Sequence, residues 1–474
     1  MSLSPFVALA ETRTRNPAQT LLASTQTTLT ADEFVDVAER LAALISNALA
    51  NQSDSIALSL KPELFSLVTF ACYHLGLASF KFRPDTTLLR SLNPQVVITD
   101  DASLDVGSLK KLILNQQTMA SLAEMTKENP RVIQDTNLVA NYFFSSGTTG
   151  IPKIIPVTFA QLSERESFVR QARIRGRYMS LLGLGTFGGF MTMYSQIING
   201  QTYFVPGNAE ANLNLIANWG LDTIFASPAQ LSEVLSSLEK GSKSITLKEV
   251  QATGTLIPGT LVEQIMRSTG AKITNAYAST EAGVVVMKTD SWDDPSYCGE
   301  ILDGVSLEIS DPEGVAVSDG ISGEIRLQAP GQAQSYLDNP QESQKQFRDG
   351  WFYPGDLGIK RGQSLFLIGR SSEIINAGGV KISPDAIDEF AREYSGIEDA
   401  AVFTFTNDNG VSVTAMAFVC KVPPNPEIFQ RYLKSKFGEA APMHLYRVAG
   451  IPRNELGKPM RGLLGTRFLE ARAK

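Results

Sequence analysis

The sequence predicts an α/β protein in two parts: a large N-terminal domain of layered α/β subdomains plus a β-rich subdomain, and a small α+β C-terminal domain. Three observations lead there. Strand-like and helical patterns alternate over 56–99 and again over 142–280, which favours layers built on largely parallel sheets. From about residue 297 the pattern turns to short strands separated by turn signals. After Arg370 the chain carries a helix, strand, strand, helix pattern of its own, which places a boundary at 370–372 and divides it into 1–370 and 371–474. A length of 474 residues, well beyond a single core, agrees with this division.

In chain order, Thr30 and Glu33 are spaced for a capping box, and Phe34, Val37, Ala38, Leu41, Leu44 and Ile45 follow at helical spacing. IALSL (56–60), the charge-free run 64–80 and QVVIT (95–99) make a β-α-β unit. That run has 17 residues, the lower edge of a membrane span, but it contains Ser66, Thr69, His74 and Gly76 and follows a strand. A buried helix is therefore expected, and no membrane span. The short apolar runs YFF, SLLGL, TYFV, DTIFA and KIT carry the second alternation. SLEIS, a DPEG turn and GEIRLQ carry the β-rich part. A helix at 384–394, strands at 399–405 and 411–420, and a helix at 427–437 carry the last.

Composition narrows the function. With 43 % apolar and 19 % charged residues the chain can bury a large interior, which excludes wholesale disorder. A net charge of −7 with no basic block supplies no attraction to a nucleic-acid backbone. Cys72, Cys298 and Cys420 lie far apart and form neither a metal spacing nor a disulfide framework, and the N-terminal residues lack a basic segment before their apolar run. A reduced, cytoplasmic setting is expected. With only His74 and His444, a histidine-rich metal site is excluded.

The most informative stretch is YFFSSGTTGIPK, residues 142–153. An apolar strand runs into Ser145, Ser146, Gly147, Thr148, Thr149 and Gly150, followed by Lys153. Glycines admit a phosphate close to the backbone, hydroxyls add donors, and the ammonium adds a compact positive charge, so the loop suits a polyanion. It is not a Walker loop, because Pro152 precedes the lysine and no Ser or Thr follows it.

This stretch resembles the phosphate motif of the adenylate-forming superfamily, which comprises acyl-CoA synthetases, stand-alone adenylation domains and luciferases. Further segments resemble the family's other motifs in the family's order: TGTLIP (253–258), NAYASTEAG (275–283), GWFYPGDLG (350–358), GRSSEIINAGGVKISPDAIDEF (369–390) and RNELGKPMR (453–461).

The resemblance implies ATP-dependent activation of a carboxylic acid to an acyl-adenylate, then transfer to a thiol, with CoA the leading acceptor. The alternatives are loading of a phosphopantetheinyl carrier protein and a catalytically silent nucleotide-binding homologue. It implies that Ser145–Gly150 and Lys153 hold the phosphates, that Thr280 contacts the α-phosphate, and that Glu281 holds Mg²⁺, with Thr148 or Thr149 nearby. The structural alternative for Glu281 is the ordinary one of capping a helix that begins near Ala282. Tyr277 is expected to stack on adenine opposite Gly254, Thr255 and Leu256, and Asp356 and Arg370 to hold the ribose. Lys458 is expected to bridge substrate carboxylate and α-phosphate from a small, mobile C-terminal domain. Gly378 and Gly379 would border a pantetheine tunnel, although a tight β-turn needs glycine as well.

LLGLGTFGGFMTMYSQ (181–196) resembles the acyl-pocket segment, with Phe187, Gly188 and Tyr194 as its wall. Gly188 stands where many aryl- or amino-acid-activating members carry His or Asp, which points to an uncharged, apolar acid. Ser372, Ala278 and Ile154 are further departures from the family pattern, and none removes a catalytic group.

Overall fold

The computed structural model describes residues 5–49, 55–83, 86–127, 135–145, 153–172, 176–240, 245–254, 257, 259–289, 294, 296–370, 375–377, 380–406, 412–438, 441–453 and 457–472. The first sheet has six strands in the order Lys110–Ile113, Val96–Thr99, Ser55–Ser59, Ala78–Lys81, Val139–Ser145 and Lys153–Thr158. All neighbours are parallel except the last two, which form an antiparallel pair. Alternate residues are buried on opposite faces: Ile56, Leu58, Val96 and Ile98 join the main core, and Ala57, Phe80, Val97 and Ile154 a second one. Burial on both faces explains why these strands read as continuous apolar runs.

The capping box forms as expected: Glu33 N–H donates to Thr30 Oγ1 at 3.3 Å and Thr30 N–H to Glu33 Oε2 at 2.8 Å, at the start of the helix Ala31–Ala48. The charge-free run becomes a buried helix, Pro62–Leu75, followed by the strand Ala78–Lys81. Gly76 separates the two at φ +68, a left-handed conformation that favours glycine at a helix C-terminus. Among the described residues no helix is long and apolar enough to cross a membrane.

The second sheet has twelve strands. Tyr178–Ser180, Thr223–Ala226, Glu249–Thr253 and Lys272–Ser279 are parallel, and Gly283–Lys288 then turns antiparallel. Through Tyr297–Ile301 the ladder continues into Ser364–Arg370, Asp356–Arg361 and Ser322–Gln328. The β-rich part has its own apolar cluster around Ile325 and Phe352, yet its strands extend the same hydrogen-bonded sheet. That continuity runs from the hairpin at Glu281 through Tyr297–Ile301 to Ser364–Arg370, and this last pairing joins distant segments with no local signature in the sequence.

Beyond Arg370, the helices Pro384–Arg392 and Pro426–Phe437 and the strands Ile397–Thr406 and Ser412–Cys420 match the expected pattern to within a few residues. A parallel strand His444–Arg447 and a helix Arg461–Arg472 complete this part. One face of its three-stranded sheet packs on Ile387, Phe429 and Leu433, the other on Leu464 and Phe468. A buried ion pair joins the layers. Asp388 accepts from Val402 N–H at 2.5 Å and lies 2.9 Å from Arg461, whose guanidinium also donates to Val402 O at 2.6 Å and pairs with Asp385.

Removing one member of a buried pair leaves the other charge uncompensated. Asp388→Ala is therefore expected to destabilise this part of the chain by about 3 kcal/mol, read as a lowered urea midpoint. An unchanged midpoint would show that Arg461 is satisfied without Asp388.

Candidate active site

The carboxyl ends of the parallel strands in the second sheet converge on one edge, the usual location of ligands in such sheets. Thr253 and Ala276 are register partners on neighbouring strands, so Gly254 and Tyr277 stand side by side one residue beyond them. Gly254 adopts φ +94, a conformation that glycine enters without strain. Thr255 and Leu256 lie outside the described residues.

Tyr277 donates its hydroxyl to Asp356 Oδ2 at 2.5 Å, and Arg370 Nε lies 3.2 Å from Asp356 Oδ1. Asp356 and Arg370 are register partners on adjacent antiparallel strands, which places them opposite each other. Asp356 is 5 % exposed. Burial and the Asp356 charge push the Tyr277 hydroxyl well above its ordinary value, so it remains a donor. The three residues expected around the ribose and adenine thus form one hydrogen-bonded unit.

Glu281 lies on the tip of a β-hairpin, between Ser279 and its register partner Gly283. Ala282 leads into the strand Gly283–Lys288, so the helix-cap alternative does not apply. The Glu281 side chain is buried, and Tyr336 donates its hydroxyl to Glu281 Oε1 at 2.9 Å. The Gln346 side-chain oxygen is the second acceptor facing the same hydroxyl. Burial first, then the Glu281 charge, raises the Tyr336 hydroxyl far above its usual range. The Glu281 carbonyl accepts from Ala333 N–H at 2.8 Å and from Arg165 at 2.6 Å. Thr280, beside it, gives its carbonyl to Arg165 at 2.9 Å.

Lys153 faces Ser145 across the last strand pair of the first sheet. Ser146, Gly147, Thr148, Thr149 and Gly150, between them, lie outside the described residues. The Lys153 ammonium is 2.7 Å from Glu342 Oε2 and 4.8 Å from the Tyr336 ring centroid. Its hydrogen bond holds the Glu342 carboxyl below the usual carboxylate range. The Tyr336 segment also bridges to the first sheet, because Leu337 N–H donates to Ile154 O at 2.9 Å. Lys153, Tyr336 and Glu281 are therefore held together across the two sheets.

Lys458 follows Gly457, where a Cβ would lie 3.4 Å from Ala229 Cβ on the helix that starts just beyond the strand Thr223–Ala226. Gly457 therefore lies beside the start of that helix, at the same carboxyl edge. Arg453 fixes the segment by donating to Gly457 O at 2.7 Å and to both Asp399 oxygens at 2.7 and 2.8 Å. Gly378 and Gly379 lie outside the described residues, and the flanking Ala377 and Val380 are antiparallel partners.

In the segment that resembles an acyl pocket, Phe187 opens the helix Phe187–Ile198, which Thr186 caps. Its ring lies 5.1 Å from Phe143 and 4.4 Å from the Arg165 guanidinium, and Gly188 is exposed beside it. Tyr194 does not belong here. Two turns further along it is 2 % exposed and packs among Phe70, Tyr73 and Phe190, so it is a core residue. The helix is buried without a break from Gly189 to Ile197, and sequence alone does not separate its first turn from its core turns.

Arg165, Tyr336 and Glu342 were not singled out from the sequence. Their partners are distant main-chain carbonyls or single side chains, and such pairings leave no local pattern. Arg165 is 2 % exposed, and burial lowers its guanidinium to about 10 against an opposing pull from Glu281. Among the described residues no group of three or more His, Cys, Asp or Glu could enclose a metal. A single buried carboxylate suits magnesium, which binds through one or two carboxylates and completes its shell with water and substrate phosphates.

A family model described as AMP-binding enzyme matches residues 9–337. The chain belongs to the AMP-binding enzyme family. Its place in the adenylate-forming superfamily follows, and with it the type of an AMP-forming acid–thiol ligase. Similar proteins include a probable CoA ligase, CCL9, of Humulus lupulus, 24 % identical over 75 % of this chain and 70 % of that one. The medium/long-chain-fatty-acid–[acyl-carrier-protein] ligase FadD10 of Mycobacterium tuberculosis is 24 % identical over 72 % of this chain and 71 % of that one. The AMP complex of the Bacillus subtilis o-succinylbenzoate CoA synthetase MenE superposes with a TM-score of 0.84, at 20 % identity and covering 96 % and 97 % of the two chains. ATP-bound MatB of Rhodopseudomonas palustris gives 0.87, at 17 % identity and 99 % of each. The two-domain architecture expected from the sequence is thus the architecture of this AMP-binding enzyme.

Any anion that pairs with Lys153 competes with Glu342 for its ammonium. Glu342→Gln is expected to tighten MgATP about two- to fivefold in equilibrium binding, the equivalent of a partly exposed ion pair. Weaker binding would mean that Glu342 itself supports the nucleotide.

Proposed function

We propose that this enzyme condenses an apolar carboxylic acid with ATP to an acyl-adenylate and pyrophosphate, and then passes the acyl group to CoA. The observation that carries the proposal is the gathering, where the carboxyl edge of the second sheet meets the first, of the Tyr277–Asp356–Arg370 unit, the Tyr336–Glu281 pair, Lys153 and the Lys458 segment.

An anionic nucleophile must approach a polyanion, so the site has to provide fixed positive charge and oriented donors. Asp356 has free lone pairs for ribose hydroxyls, because Tyr277 and Arg370 already orient its carboxylate. Tyr277 offers adenine a ring whose hydroxyl end is tethered. Lys153, with Ser145–Gly150, holds the departing phosphates. Glu281, and Thr148 or Thr149, would hold magnesium, which when bound neutralises phosphate charge. Lys458 supplies an ammonium between the attacking carboxylate and the α-phosphate.

The acid lies against Phe187 and Phe143, and exposed Gly188 offers no charge to an amino acid's ammonium. Burying that ammonium unpaired would cost several kcal/mol. In the second step the thiolate attacks the acyl carbonyl and AMP leaves. Gly378 and Gly379 would border the pantetheine path, once the part beyond 370–372 has moved as a separate domain. The relatives include ligases named for CoA and for carrier protein, and a carrier is the competing acceptor. A reducing, cytoplasmic setting belongs to this proposal, in keeping with three buried, unbridged cysteines.

Lys458→Ala should lower acid-dependent pyrophosphate exchange by on the order of 10² to 10³, as loss of one oxyanion donor does, while transfer from presynthesised acyl-adenylate to CoA is largely kept. Equal loss in both half-reactions would contradict the assignment.

A further inference from the structure

Arg165 lies on the helix Phe159–Ala172, outside every motif that resembles the family. Its buried guanidinium donates to three main-chain carbonyls: Nε to Gly331 at 2.6 Å, Nη1 to Thr280 at 2.9 Å and Nη2 to Glu281 at 2.6 Å. Its face covers the Phe187 ring. One turn earlier, Gln161 donates to Gln332 O at 2.8 Å and so holds the same loop. Gly331 makes this approach possible, since at φ +67 a Cβ there would lie 2.7 Å from Arg165 Cγ and 2.6 Å from Gln161 O.

The carbonyls of Thr280 and Glu281 belong to the two peptide units that flank the Glu281 Cα. A planar fork that binds both fixes the backbone torsions of Glu281 and so the direction of its side chain, whose tip Tyr336 then holds. We propose that Arg165 is the positioning residue of the adenylation site, setting the direction of the magnesium-binding carboxylate of Glu281. The proposal rests on the function argued above. Transfer of the acyl group to a thiol makes no use of the triphosphate, so this half-reaction is insensitive to the setting of Glu281.

Two variants test it, Arg165→Met and Arg165→Lys. The lysine variant keeps the charge and one donor direction but not the fork, and so remains informative if the methionine variant does not fold. Mn²⁺ is titrated into full-length enzyme with a non-hydrolysable ATP analogue and followed by electron paramagnetic resonance. The Kd for Mn²⁺ should rise about 10- to 100-fold, the usual effect of losing a group that orients a metal ligand. Pyrophosphate exchange should fall by a similar factor, with transfer from presynthesised acyl-adenylate largely kept and the melting temperature of the lysine variant near wild-type. Unchanged Mn²⁺ affinity in a folded variant, or equal loss in both half-reactions, would overturn the proposal and leave Arg165 a packing residue. Absence of acid-dependent exchange in the wild-type enzyme would instead overturn the functional reading, and this proposal with it.

Discussion

Two carboxylates, Glu281 and Asp356, are buried at one edge of the sheet system, and each is kept there by a tyrosine hydroxyl. A buried charge without partners costs several kcal/mol, so much of the surrounding structure follows from satisfying these two. Tyr336 has to reach Glu281 from the loop that leaves the β-rich strands, and that loop closes onto the first sheet through Leu337 and Ile154. Arg370 has to face Asp356 across a strand pair. The two sheets therefore meet where the charges are, and Lys153 lies at the junction.

The lysine segment of the C-terminal part is built on the same logic. Lys458 lies between two arginine anchors, Arg453 on Asp399 and Arg461 on Asp388 and Val402 O. Both anchors reach the strand Ile397–Thr406 or its approach. A lysine flanked by two such anchors on one strand keeps a fixed relation to that strand.

Much of this was legible in the sequence, and the limits have physical causes. Thr30 with Glu33 is a local hydrogen-bond pattern, and the structure has it. Ser145, Lys153, Thr280 and Glu281 stand in contiguous motifs, and the fold sets these motifs around one edge. Arg165 was not legible because SERESF reads as a solvated helix face, and its carbonyl partners lie at Thr280, Glu281 and Gly331. Tyr194 was misplaced because an apolar helix buried on all sides has no pattern to separate pocket from core. The β-rich strands were expected, but their hydrogen-bonded continuity with the parallel strands depends on Tyr297–Ile301 pairing with the distant Ser364–Arg370.

The central claim is that the acid's own carboxylate oxygen attacks the α-phosphate. Oxygen labelling tests it most directly: an acid carrying ¹⁸O in both carboxylate positions is turned over with ATP, Mg²⁺ and CoA, and the products are weighed by mass spectrometry. One labelled oxygen is expected in AMP and the other in the thioester, with pyrophosphate unlabelled. Label in inorganic phosphate with formation of ADP, or unlabelled AMP, would contradict the mechanism.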